Sequence, residues 1–235
     1  MTDGPGRLAA SWATTWRTLL GAAVDVVVPP RCVACAEPLE RLDRSDGAGA
    51  WCDVCAEGLQ PAPRPGLFLY VGGLATLIQR AKYSRELGAA HALARLMADR
   101  LDTDALGPID VVTFVPAHWS RALWRGFDLP ALLADAVAVR LGRPRVSLLT
   151  VRRRDSRLAL TSSREQRQQL VAGRFGCARA AAGRRVLLID DVHTTGATLG
   201  AAALALRGGG ASVVTRTLAL TPDDGTFMAI DAPDQ

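Results

Sequence analysis

The segment from Arg185 to Leu220 leaves this chain little freedom of fold. Arg185-Val-Leu-Leu-Ile189 is a short apolar run, rich in β-forming residues and bounded by charge, which predicts a buried parallel strand. Asp190 and Asp191 follow at once, then Val192-His193-Thr194-Thr195-Gly196-Ala197-Thr198, then an alanine- and leucine-rich stretch that predicts a helix to about Arg207. Gly208-Gly209-Gly210 end that helix, and Ser212 to Leu220 is a second apolar, β-branched run. Strand, helix and strand in this order form a βαβ unit. The loop at the carboxyl end of its first strand is where open α/β sheets take ligands.

The residue types in that loop fit one kind of ligand. Thr194, Thr195 and Thr198 offer hydroxyls, and Gly196 lets the backbone turn tightly. The N–H groups of the helix's first turn have no intrahelical partner and point at one spot, which suits a phosphate. The loop lacks the lysine of a Walker A motif, and no G-x-G-x-x-G follows a strand, so a triphosphate or a dinucleotide fits poorly. The two aspartates before the loop would repel phosphate, but they accept hydrogen bonds from vicinal hydroxyls. One phosphate and a diol close by describe a ribose 5-phosphate unit. The competing reading has Asp190 and Asp191 capping the turn and helix. It explains one aspartate and leaves the rest of the constellation without a reason.

A second signal lies upstream. Cys32-Val-Ala-Cys35 and Cys52-Asp-Val-Cys55 are two Cys-x-x-Cys pairs separated by 16 residues, within the spacing of zinc ribbons. A two-residue gap aims two thiolates at one ion, and two such knuckles complete a sulfur tetrahedron. The surrounding stretch, roughly 29–60, has little apolar periodicity, so a metal cross-link does what a core does elsewhere. Disulfides and a redox pair are the alternatives. The first conflicts with a reducing compartment, and the second needs one such motif beside a βαβ unit. Four sulfurs predict a closed, structural zinc site, and Cys177 reads as a small apolar core residue.

The 235 residues, 49% apolar and 22% charged, suffice for one ordinary domain and a small module. With 5% aromatics, stacking platforms for single strands are not expected to dominate. The net charge of +5 is almost wholly arginine, because Lys82 is the only lysine. Leu8 to Leu20 carries Trp12, Trp16, Leu19 and Leu20 at helical spacing, which predicts an amphipathic helix docked on the protein's own core, with a membrane-surface helix as the rival reading. The apolar stretch Leu19 to Val28 is short and contains Asp25, too little to span a bilayer. With no secretory signal in view, the expected compartment is the cytoplasm.

The segment Val186-Leu-Leu-Ile-Asp-Asp-Val-His-Thr-Thr-Gly-Ala-Thr198 resembles the phosphoribosyl pyrophosphate (PRPP) signature of type I phosphoribosyltransferases. Together with the four cysteines it is similar to the ComF family, phosphoribosyltransferase-like proteins with a zinc ribbon named for bacterial competence. Pro30-Arg31-Cys32, Lys82-Tyr83, Val115-Pro116, Arg125-Gly126-Phe127 and Arg164-Glu165-Gln166-Arg167 extend the resemblance over nearly the whole chain. It departs at one place: Asp128-Leu129 stands where the family has Asn-Gln, which puts any role of that amide pair in doubt.

The resemblance implies an α/β fold: a Rossmann-like type I phosphoribosyltransferase core with a parallel sheet, plus a small N-terminal zinc ribbon. The expected organisation is a helix at 1–28, the ribbon at 29–62 and the phosphoribosyltransferase-like domain at 63–235. Within that domain a hood covers 63–105 and the core 106–222. Asp190 and Asp191 would hold the ribose hydroxyls, and Val192, His193, Thr194, Thr195, Gly196, Ala197 and Thr198 the PRPP 5-phosphate loop. The apolar run Ile109 to Val115 predicts a second strand, and the loop from Pro116 would hold diphosphate. Arg121 and Arg125, four apart, share a face there and clamp a diphosphate or lie solvated.

A helix is expected from near Pro130 to the Leu141-Gly142-Arg143-Pro144 stop, and a strand over Val146 to Val151. Phe68 to Leu101 predicts a strand and a long helix from near Gly73, interrupted near Gly88, with the hood reading the acceptor. Between Arg140 and Arg167 stand nine arginines against Asp155 and Glu165. In type I enzymes a mobile loop closes over PRPP here, and Arg164 is a candidate catalytic residue of that lid. A phosphate-backbone patch and a solvated basic face are its rivals.

The function this predicts is Mg²⁺-dependent transfer of a phosphoribosyl group from PRPP to an unidentified base or amine. Magnesium would be held mainly by substrate oxygens. The alternative is a nucleic-acid-handling adaptor in DNA uptake, with PRPP as a regulatory ligand and single-stranded DNA or DNA-uptake proteins as partners.

Overall fold

The computed structural model describes residues 31–39, 51–117, 124–151 and 174–222. The expected N-terminal helix and the arginine-rich stretch after 151 lie outside the described residues.

Six strands are described: β1 (Gly66–Leu69), β2 (Val111–Phe114), β3 (Leu149–Val151), β4 (Phe175–Cys177), β5 (Arg185–His193) and β6 (Ser212–Leu220). The helices are α1 (Asp53–Glu57), α2 (Gly72–Tyr83), α3 (Leu87–Arg100), α4 (Leu129–Leu141) and α5 (Ala197–Gly208). Four strands form a parallel sheet in the order β1-β6-β5-β2. The predicted strand–helix–strand unit is β5-α5-β6, at the centre of this sheet.

Alternation along β5 explains why its run is apolar throughout. Val186 and Leu188 face α5, in one core with Leu199, Ala202 and Leu206. Leu187 and Ile189 face the other way, toward Leu93, Leu133 and Val137 of α3 and α4. All four are fully buried, and each large aliphatic side chain contributes about 1.5–3 kcal/mol on burial. Helices therefore cover both faces: α4 follows β2 on one side and α5 follows β5 on the other. The neighbouring strands β2 and β5 thus send their chains to opposite faces, and a crevice opens at their carboxyl ends.

Several boundaries differ from expectation. β5 continues through Asp190 and Asp191 to His193, because it pairs with β6 as far as His193 and Leu220. The long hood helix is two helices, and the break falls at Ser84–Glu86 rather than Gly88. Arg85 has φ +59 there, a left-handed conformation no helix can pass through, while Gly88 sits in the first turn of α3. The strand predicted over Val146 to Val151 shortens to Leu149–Val151. It pairs antiparallel with β4 in a separate two-stranded sheet, a pairing that three-residue runs do not announce. α4 ends as expected at Gly142, whose φ of +61 supplies the left-handed cap.

Candidate functional site

The crevice between β2 and β5 holds a cavity of about 380 Å³. Val115, Pro116 and Ala117 line it from the end of β2, and Asp190 to Thr194, Gly196, Thr198 and Leu199 from the end of β5 and the start of α5. Lys82 and Tyr83 from the end of α2, Pro130 from the start of α4, and Arg125 and Arg174 complete the wall. Thr195 and Ala197 are exposed and are not among the lining residues. Arg121 and Arg164 lie outside the described residues.

Gly196 is the N-cap of α5, with φ +73. Its carbonyl accepts from Gly200 N–H at 2.7 Å, so the helix begins at once. The N–H groups of Ala197, Thr198 and Leu199 have no partner within the helix, and the helix dipole adds partial positive charge there. No side chain caps this end. The capping role weighed for the aspartates is therefore not played at α5, and the orphan N–H groups are left for an anion.

In the same cavity the aspartates are largely buried, Asp190 at 9% exposure and Asp191 at 8%. Asp191 N–H donates to Asp190 Oδ1 at 2.9 Å. Burial holds the Asp190 carboxyl well above the usual carboxylate range. The Asp191 charge adds to the shift, and the Asp191 N–H and the Lys82 charge oppose it. Lys82 Nζ donates to Asp191 Oδ1 at 2.8 Å, with both side chains mostly buried. The acidic wall thus carries its own counter-cation and less negative charge than two solvated aspartates.

Sequence reasoning missed this ion pair, which spans 109 residues. Its one available signal was a solitary lysine in a chain that otherwise uses arginine. Asp128 is also part of the neighbourhood. Its Oδ2 accepts from Ala117 N–H at 3.1 Å, and its Oδ1 is buried without a partner. Burial pushes its carboxyl up, the Ala117 N–H pulls it down, Asp191 pushes it up and Arg125 pulls it down. Arg125 Nε and His193 Nδ1 are likewise buried without partners. Arg125 stacks over Tyr83 at 5.9 Å, so one of the two arginines expected to clamp a diphosphate reaches the cavity.

The four cysteines come together. The Sγ atoms of Cys32, Cys35, Cys52 and Cys55 all lie within 4.8 Å of one another, and Cys35 and Cys52 are 3.7 Å apart. Tetrahedral bonds of about 2.3 Å place sulfurs about 3.8 Å apart, so the cluster is positioned to hold a metal ion. The first knuckle turns through Ala36, with φ +63, where Ala36 N–H donates to Cys32 O at 2.8 Å. The second enters α1 with Cys52 at its N-cap. Burial raises the Cys32 thiol, but hydrogen bonds from the backbone of Cys35, Cys52 and Ala34 outweigh it and draw the thiol down to about 6. Burial and the neighbouring thiols push Cys55 up. Without a cation these sulfurs cannot all ionise together, and a dication removes that conflict. Cys177, half-buried, packs its sulfur against Gly209 at the end of α5 and belongs to the edge of the core.

These features define a parallel α/β protein joined to a four-cysteine knuckle. Solved structures to which it is similar include glutamine PRPP amidotransferase from B. subtilis, with TM-score 0.40, 25% identity, and coverage of 55% of this chain and 25% of that one. Another is adenine phosphoribosyltransferase from Leishmania tarentolae, with TM-score 0.38, 19% identity, and coverage of 65% and 67%. By sequence, the chain is similar to DNA utilization protein YhgH and competence protein F. It is 32% identical to YhgH of Salmonella typhi over 150 residues, 61% of this chain and 66% of that one. To competence protein F of Haemophilus influenzae it is 30% identical over 137 residues, 55% and 60% of the two chains. The matches thus span less than two thirds of these relatives' length. No family model matches the chain. Among the described residues no helix is long and apolar enough to cross a membrane.

Proposed function

We propose that the chain binds PRPP in the cavity between β2 and β5 and transfers its phosphoribosyl group to a base or amine. The observation that carries this reading is the placement of Asp190 and Asp191 in one cavity with the uncapped start of α5. The carboxyls accept hydrogen bonds from the ribose 2- and 3-hydroxyls, while Thr194 to Thr198 and the α5 N–H groups take the 5-phosphate. Pro116 and Arg125, which line the cavity, face the diphosphate, and Arg121 is proposed as a second arginine for it. In the transfer, the bond from C1 of the ribose to the diphosphate oxygen breaks and a bond from C1 to the acceptor nitrogen forms. Diphosphate leaves, and the nitrogen gives up its proton. Arginine and lysine charge stabilises the departing diphosphate, and burial excludes water from the ribosyl cation-like transition state. Mg²⁺, held by substrate oxygens, would neutralise the diphosphate. Zinc fits the four sulfurs and would act structurally.

The test is calorimetric titration with PRPP, with and without Mg²⁺, beside a screen of bases and amines for diphosphate release and a control lacking acceptor. Mg²⁺-dependent binding that Asp191→Ala abolishes is the expected result. No binding under either condition refutes the reading.

The names of the relatives, DNA utilization protein and competence protein, favour a second reading in which the same scaffold serves DNA handling. Its expected signature is salt-dependent binding of single-stranded DNA that weakens when charge is removed at Arg152 to Arg154. Absence of affinity at low salt rejects direct contact with DNA.

A further inference from the structure

Helix α2 carries two cations that do different jobs. Arg80 and Lys82 stand two residues apart, about 200° around the helix, so they leave it on nearly opposite faces. Arg80 reaches the cysteine knuckle: its Nη1 donates to Val33 O at 2.8 Å and Ala34 O at 3.2 Å, the two residues enclosed by Cys32 and Cys35. The same guanidinium grips the turn between α2 and α3, where its Nε lies 3.1 Å from each carboxylate oxygen of Glu86 and its Nη2 also donates to Oε2. Lys82 reaches the other way, to Asp191 in the cavity wall. Leu74, Leu77, Ile78 and Ala81 are buried between these two attachments, so α2 cannot rotate without disturbing both. At its start, Gly73 adjoins the knuckle: a Cβ there would stand at contact distance, 3.4 Å from Ala34 Cβ and 3.6 Å from Cys55 Sγ.

We propose that Arg80 is a positioning residue that couples the four-cysteine centre to the ligand cavity. It ties the last turn of α2 to the first knuckle, and so fixes Lys82 on Asp191. Ala34 is buried and Val33 packs against the main core, and a metal ion held by Cys32 and Cys35 would fix the carbonyls of these two enclosed residues further. Those carbonyls set the Arg80 guanidinium, Arg80 sets the turn at Glu86, and the turn sets where Lys82 ends. Emptying the cysteines therefore loosens the Lys82–Asp191 pair. Asp191 is then uncompensated, and an anionic ligand meets a more negative wall. The coupling is reciprocal, so a ligand that engages the cavity also tightens the metal centre.

Lys82 is the only lysine in the chain, which gives a single-site readout that needs no ligand. In the full chain loaded with zinc, the rate of acetylation of Lys82 by an N-hydroxysuccinimide ester is followed by peptide mass spectrometry, which separates it from the α-amine. Asp191→Asn sets the rate of a released lysine. Chelation of the zinc, and Arg80→Met with zinc content and far-UV circular dichroism unchanged, are each expected to raise the rate about five-fold or more. Glu86→Gln, which leaves the knuckle bonds of Arg80 intact, is expected to raise it less.

Equal rates in the loaded, chelated and Arg80→Met proteins, with Asp191→Asn faster, overturn the proposal. Global unfolding on chelation or in Arg80→Met overturns it too, since the link would then run through the whole fold. The second arm titrates ribose 5-phosphate and rests on the reading of the cavity given above. Lys82→Met and Arg80→Met are expected to weaken binding about ten-fold each, and the double variant no further than Lys82→Met alone. Additive losses overturn the coupling. If the unaltered protein does not bind ribose 5-phosphate, the reading of the cavity fails, and the acetylation rates decide the coupling by themselves.

Discussion

A methyl group placed on Gly196 would lie 2.7 Å from Nε2 of His193, closer than any relaxed contact allows. The φ of +73 at Gly196 adds a second objection to any side chain there. Gly196→Ala must therefore move either the imidazole or the first turn of α5. We expect a loss of roughly 1–3 kcal/mol of stability and a weaker anion site. Denaturant melts and ribose 5-phosphate titration measure the two effects, and an unchanged variant contradicts the assignment of this turn.

Asp190→Asn separates stability from binding. Because the folded carboxyl titrates well above its unfolded value, the native state binds more protons between those two values. The Asp190 contribution to stability therefore falls as pH rises through that window. Asparagine still accepts the Asp191 N–H, so the variant should be more stable than the parent at pH 8 by on the order of 1 kcal/mol, with the gap closing near pH 3. Ligand affinity should fall. Thermal melts across this range, paired with a PRPP titration, give both answers; a gap that widens on acidification contradicts the sign.

Much of this arrangement was legible in the residues. The apolar run of β5, the Thr-Thr-Gly turn and the triple glycine each announce a local event, and the βαβ unit follows from their order. The paired Cys-x-x-Cys spacing announces the sulfur cluster for the same reason. Lys82 on Asp191, Arg80 on the knuckle carbonyls and Asp128 beneath Ala117 depend instead on how distant segments pack. No local pattern records such a contact. The break at Arg85 was missed because arginine is an ordinary helix former whose left-handed conformation is imposed by tertiary context.

Asp128→Asn tests the buried carboxylate beneath Ala117. Asparagine keeps an acceptor for Ala117 N–H and removes a carboxylate that burial disfavours. The expected outcome is higher stability at pH 8, again by about 1 kcal/mol. Because Asp128 is not among the lining residues, ribose 5-phosphate affinity should stay within about two-fold. A ten-fold loss would place Asp128 in the binding machinery.

Cys52→Ser removes one of four sulfurs. The parent should retain one equivalent of zinc through dialysis and the variant none, as atomic emission would show, because three thiolates and a hydroxyl make a poor closed site. Retention of a full equivalent by the variant would mean that the ion sits elsewhere.

Leu187→Ala probes the face of β5 that meets α3 and α4. The side chain is fully buried, and its loss should cost about 2–5 kcal/mol, read as a shifted urea midpoint with an unchanged slope.

The pairing of β1 with β6 has a consequence for how the chain is made. Gly66 finds its partner in Thr217, so β1, the first strand among the described residues, waits for β6, the last of them, before that edge is satisfied. Until then the nascent polypeptide displays Phe68 and Leu69 beside unmatched amide groups. Such a topology folds late and from distant parts, and truncation before β6 should yield an insoluble product rather than a smaller version of the protein.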